Sequence, residues 1–133
     1  MELNNVHYEQ ILHSVDDGVY IVDTERKILF WSNGAEIVSG YTRDEVTGSF
    51  CHDNILQHVN EGGTDLCSGD CPLVIAMREK KSIVEEVFLH HKDGHRIPVA
   101  VKVTPLRNEQ GKIIGAAEVF TDLSASDRAT EKM

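Results

Sequence analysis

The period of the hydrophobic positions changes several times along the chain, and each change marks an element. Val6, Ile11, Leu12 and Val15 recur near helical spacing, with His7, Glu9, Gln10 and His13 largely opposite, which predicts a short amphipathic helix. Its apolar stripe is narrow and suits either the edge of a core or a second copy of the chain. Asp16-Asp17-Gly18 signals a turn, and Val19-Tyr20-Ile21-Val22-Asp23 then reads as a strand of β-branched and aromatic residues. Thr24-Glu25-Arg26 reverses the chain into Lys27-Ile28-Leu29-Phe30-Trp31, so these two strands form a tight hairpin, with Phe30 and Trp31 as core residues.

Helical fragments follow. Asn33 is placed to cap Ala35 to Ser39, Gly40 ends that turn, Thr42 caps a second piece through Asp44, Glu45 and Val46, and Gly48 stops it. Further on, Cys71-Pro72 opens a longer helix with Cys71 at the cap and Pro72 at its first position. Leu73, Ile75, Ala76 and Met77 give it an apolar surface, and Arg78-Glu79-Lys80-Lys81 a charged end. Three strands complete the pattern: Ser82 to His91, Arg96 to Leu106 and Lys112 to Thr121, joined by turns at Lys92-Asp93-Gly94 and Arg107 to Gly111. Alternation is cleanest in the middle one, where Ile97, Val99, Val101 and Val103 share a face that should line the core. The order implies an α+β fold: a five-stranded antiparallel sheet with short helices packed on one face.

A chain of 133 residues, 41% hydrophobic and 26% charged, suits one soluble domain with a real core. The net charge of -9 argues against a nucleic-acid partner, and no apolar run approaches the ~20 residues of a spanning helix. The N-terminus lacks the basic and apolar regions of a signal peptide, so a cytoplasmic protein without direct membrane contact is expected. An odd number of cysteines in a reducing compartment points to metal binding, redox chemistry or inert burial rather than a disulfide framework.

Several segments together resemble the PAS domain family: Gly18-Val19-Tyr20-Ile21-Val22-Asp23, then Trp31-Ser32-Asn33-Gly34-Ala35 leading to Ser39-Gly40-Tyr41 and Glu45-Val46-Thr47-Gly48. His91-Lys92-Asp93-Gly94 before a valine-rich strand and Gly111-Lys112-Ile113-Ile114-Gly115 before the last one extend the likeness from about Ile11 to Leu123. The resemblance implies a non-enzymatic sensory module, with a pocket on its helical side and a sheet that relays the signal. It divides the chain into a flanking helix over 1–15, a sensor over 16–122 and an exit linker over 123–133. It further implies a homodimer and a covalently linked output domain: a kinase, a cyclic-dinucleotide enzyme or a transcription activator.

All three cysteines, Cys51, Cys67 and Cys71, fall in one stretch, in a Cys-x15-Cys-x3-Cys spacing, with His58 or, as an alternative, His52 for a fourth donor. Thiolates and imidazole suit zinc or an iron-sulfur cluster, whereas hard cations want oxygen ligands. In a PAS-like fold this stretch would wall the pocket and report redox state, a gas or metal availability. A metal-free thiol switch and a ligand-binding or dimerisation module with inert cysteines are the alternatives. Haem is a weaker candidate, since the helix after Pro72 has no histidine where haem-binding relatives present one. Flavin is weaker still: Gly48-Ser49-Phe50-Cys51 only loosely resembles the adduct-forming segment of light-sensing relatives, and His52-Asp53-Asn54 breaks the pattern. His90, His91 and His95 bracket a hairpin, but neighbours on a strand point to opposite faces, so they read as solvated strand-end residues.

Overall fold

In the computed structural model, which describes residues 5–50, 58–60, 62, 66 and 71–124, helix α1 (Asn5–Ser14) precedes strands β1 (Gly18–Asp23) and β2 (Ile28–Trp31). Helices α2 (Asn33–Ser39), α3 (Arg43–Val46) and α4 (Pro72–Glu79) come next, followed by strands β3 (Ile83–His90), β4 (Arg96–Arg107) and β5 (Ile113–Asp122). The five strands form one sheet in the order β2-β1-β5-β4-β3, with every neighbouring pair antiparallel. The last strand therefore lies at the centre, between the first hairpin and the β3-β4 hairpin.

Alternation decides which face is covered. Ile97, Val99, Val101 and Val103 on β4 are all buried, as the sequence pattern predicts, and they share the core with Tyr20, Val22, Trp31, Val87, Leu89, Ala116 and Phe120 from the other strands. Ala35 of α2, Val46 of α3, and Leu73 and Ala76 of α4 belong to the same cluster, so these helices cover a single face. Full burial of a valine or leucine is worth about 1.5–3 kcal/mol, which makes this face the main source of stability. At one end, Gly18 pairs directly with Phe120, and a Cβ there would come within 2.1 Å of the Phe120 ring. Only glycine lets the ring lie on the β1 backbone.

Helix ends follow local chemistry, with one difference from the sequence pattern. The cap of α2 is Ser32, not Asn33: the Ser32 hydroxyl accepts the Ala35 N–H at 3.1 Å and also the Val19 N–H at 2.9 Å. Both residues are good caps, and the second bond to β1 selects the serine. Gly40 ends the helix at φ 81°, in the left-handed region. Thr42 and Glu45 form a reciprocal capping box on α3. Pro72 opens α4 as expected, and Cys71 stands at its cap without a side-chain cap bond. His91 falls just beyond β3, where its N–H reaches the His95 carbonyl at 2.8 Å and closes the hairpin.

Candidate functional site

The site begins on the outer edge of the sheet. Phe88 of β3 turns its N–H and carbonyl away from β4 and exchanges two hydrogen bonds with Val59, at 2.8 and 2.9 Å. Leu66 donates its N–H to the His58 carbonyl at 2.9 Å. These bonds fix the backbone at His58 against the sheet. Its side chain runs inward and is 2% exposed, with Nε2 lying 3.2 Å from Oε2 of Glu118, itself 1% exposed.

Glu118 owes its place to the same alternation that buries Ala116 and Phe120. In register it faces Tyr20 on β1 and Val103 on β4, both fully buried. A carboxylate removed from water in such surroundings calls for a polar partner; the His58 imidazole stands within ion-pair range at 3.2 Å, with no hydrogen bond between Nε2 and Oε2. The contact brings His58 against the central strand. Sequence reading missed Glu118. The signal was present: a single charged residue inside the apolar run Ile113 to Phe120, at a position sharing its face with Ala116 and Phe120.

Beside the pair lies an aromatic cluster. The Tyr20 and Trp31 rings are 5.4 Å apart, Tyr20 and Phe120 6.0 Å, and Trp31 and Phe120 6.4 Å, spacings that suit tilted and edge-on packing. Trp31 satisfies its indole N–H on the Tyr41 carbonyl at 2.9 Å.

Of the candidate donors, His58 and Cys71 are both buried, and the Cys71 thiol is outside any disulfide. Cys51, Cys67 and His52 lie outside the described residues. Among the described residues no group of three or more His, Cys, Asp or Glu side chains comes together to hold a metal ion. That includes the hairpin histidines: His91 stacks on His95 with ring centroids 4.4 Å apart, and His90 Nδ1 lies 3.4 Å from the Tyr41 hydroxyl. The Phe30 ring is only half-buried and packs on His13 of α1, at 5.1 Å, rather than entering the core. His13 Nδ1 also accepts the Asn33 N–H at 3.1 Å, which seats α1 beside β2. A groove of about 310 Å³ opens there between α1, β2 and α3, with Glu9, Asp44 and Arg43 on its walls.

A central C-terminal strand, a first hairpin paired to it and helices gathered on one face define a small α+β domain. The chain belongs to the PAS domain family, whose model matches residues 16–125. Domains of this family sense and do not catalyse. Over 122 residues the chain is 26% identical to a probable diguanylate cyclase, DgcE, of Escherichia coli, covering 92% of this chain and 11% of that protein. It is 25% identical over 127 residues to the signal transduction histidine-protein kinase AtoS of Escherichia coli, covering 92% of this chain and 19% of the kinase. The chain thus spans between a tenth and a fifth of these relatives. The crystal structure of a PAS domain from Colwellia psychrerythraea superposes with a TM-score of 0.75 at 21% identity, over 90% of this chain and 97% of that one. No helix among the described residues is long and apolar enough to cross a membrane.

Proposed function

We propose that this chain is the sensory input module of a larger cytoplasmic signalling protein, in which residues 1–15 flank the sensor, 16–122 form it and 123–133 lead into an output domain. The relatives favour a cyclic-dinucleotide enzyme or a histidine kinase as that output. The input is a metal or iron-sulfur centre held by Cys51, Cys67, Cys71 and His58, with His52 as the alternative fourth donor. The observation that carries this reading is the contact between His58 and Glu118. Metal-ligating imidazoles typically have their outer ring nitrogen held by a carboxylate, which fixes the tautomer and the ring direction. Glu118, 3.2 Å from Nε2, stands where such a carboxylate would, and a buried thiol at Cys71 would add a donor of the right softness. Zinc would hold the segment in one conformation, and an iron-sulfur cluster would add a redox change.

Metal analysis and absorption spectra of anaerobically purified protein test the reading, with Cys67→Ser as the comparison. Bound metal in the native chain, reduced in the variant, supports it. A colourless, metal-free protein indifferent to the substitution ends it.

One observation favours a second reading. Cys71 is 1% exposed and belongs to the hydrophobic core, which is how an inert cysteine behaves. The domain would then act as a dimerisation module, a role favoured by Val6, Tyr8 and Ile11 on α1, which are 62%, 53% and 53% exposed. Unchanged dimer affinity when all three cysteines are replaced by serine supports it, and weakened affinity rules it out. The same burial works against a metal-free thiol switch pairing Cys67 with Cys71, because an oxidant reaches exposed thiolates first.

A further inference from the structure

We propose that the groove between α1, β2 and α3 is a binding site for a small organic ammonium ion, which bridges Glu9 on α1 and Asp44 on α3 beside the ring of Phe30. The groove has a volume of about 310 Å³, at the small end of the range for ligand pockets. It lies along β2, at the opposite edge of the sheet from β3, where Val59 is attached through Phe88. None of its walls comes from the cysteine segment, so the inference is independent of any metal centre there.

The class of ligand follows from what each wall residue still has to offer. Glu9 and Asp44 are exposed, and among the described residues neither carboxylate has a cationic or hydrogen-bonding side-chain partner. Arg43, the cation on the same walls, is already engaged: its guanidinium donates to Asn33 Oδ1, and its Nε stands 3.7 Å from Glu36 Oε2. Glu36 answers that charge, so the two wall carboxylates leave a local excess of negative potential. Phe30, half-buried, adds an aromatic surface, and Leu29, 54% exposed, an apolar one. An ammonium head between the carboxylates, with an apolar body on Phe30 and Leu29, satisfies both kinds of wall, and the ring attracts the cation as well. An anion of the same shape would meet two like charges. The position of the groove adds a consequence for α1. That helix is seated on the domain by His13, which accepts the Asn33 N–H at 3.1 Å and packs on Phe30. A ligand touching Glu9 and Asp44 together gives it a second tie.

Amide chemical shifts of the full chain, titrated with phenethylammonium and, at equal ionic strength, with phenylpropionate, test the site. The two probes share a ring and differ in the sign of their charge. The expected result is a saturable response to the ammonium probe at Glu9, Leu29, Phe30 and Asp44, and none to the carboxylate. Glu9→Gln and Asp44→Asn should each weaken the ammonium probe about two- to fivefold, as should Phe30→Leu, which keeps apolar bulk and loses the ring. Both carboxylates are exposed, so the first two variants fold like the native chain and carry the test if Phe30→Leu does not. Amides of α1 from Glu9 to His13 should exchange more slowly in the saturated complex. No saturable shift up to about 20 mM overturns the site. Equal binding of both probes, or an affinity indifferent to the two carboxylate substitutions, overturns the ammonium assignment. Unchanged exchange in α1 at saturation overturns the bridge. Each of these results is obtained with a chelator present, so the metal reading stands or falls separately.

Discussion

Phe120 and Glu118 are two residues apart on β5, point to the same face and are equally hidden from solvent, yet they do opposite things there. Phe120 joins an aromatic cluster that gains free energy from every contact and needs no particular partner. Glu118 gains little from burial, and its Oε2 faces His58 Nε2 at 3.2 Å without a hydrogen bond. Truncating an apolar side chain costs in proportion to the space left behind, whereas removing one member of a buried polar pair strands the other. An apolar cluster and a polar group that needs a partner are thus placed side by side on one strand.

The largest effect is expected where the apolar half is cut. Phe120→Ala removes a fully buried ring from between Tyr20, Trp31 and the Gly18 backbone, and should cost about 3–5 kcal/mol in urea denaturation. A loss under ~1 kcal/mol would mean the cluster collapses into the space and the contrast with Glu118 is weaker than drawn. His58→Ala should cost about 3 kcal/mol, near the low end for breaking a buried pair, because Nε2 and Oε2 face each other without a hydrogen bond. The sharper measurement is the double replacement His58→Leu with Glu118→Met. If the pair adds little net stability, the double variant should be at least as stable as His58→Ala, and close to the native chain.

A third, smaller effect tests the join between the first hairpin and α2. Ser32→Ala strands the Val19 and Ala35 N–H groups, which share one hydroxyl in a buried position, and should cost about 1–2 kcal/mol. Here the sequence was ambiguous, because Ser32 and Asn33 are adjacent and both cap well. Local pattern cannot see Val19 waiting across the hairpin. The same limit governs the site. β4 was legible in full, since Ile97, Val99, Val101 and Val103 alternate without interruption and alternation is a local property. His58 could be singled out from its neighbourhood of cysteines, but its partner lies far along the chain, and only the antiparallel register of β1, β5 and β4 carries Glu118 to the core face. The cysteine spacing likewise named candidate donors without saying which of them meet, because a spacing without helical or strand period carries no direction.

The smallest effect concerns a second carboxylate whose partner is in water. Glu45 bonds Lys92 of the β3-β4 turn, and through Oε1 it accepts the Thr42 N–H at 3.0 Å in the α3 capping box. The Lys92 hydrogen bond, followed by the Thr42 backbone N–H, lowers its pKa from 4.5 to about 2. Since the folded value lies below the unfolded one, the stabilisation is present above about pH 4.5 and is lost as pH falls toward 2. Glu45→Gln should therefore be less stable than the native chain at neutral pH, with the difference closing across that interval and shrinking in about 1 M salt. A difference that persists at pH 2 would assign the contribution to packing and the cap alone. The two carboxylates then separate cleanly: exposed Glu45 should respond to salt, while buried Glu118 should not, because screening ions reach only the first.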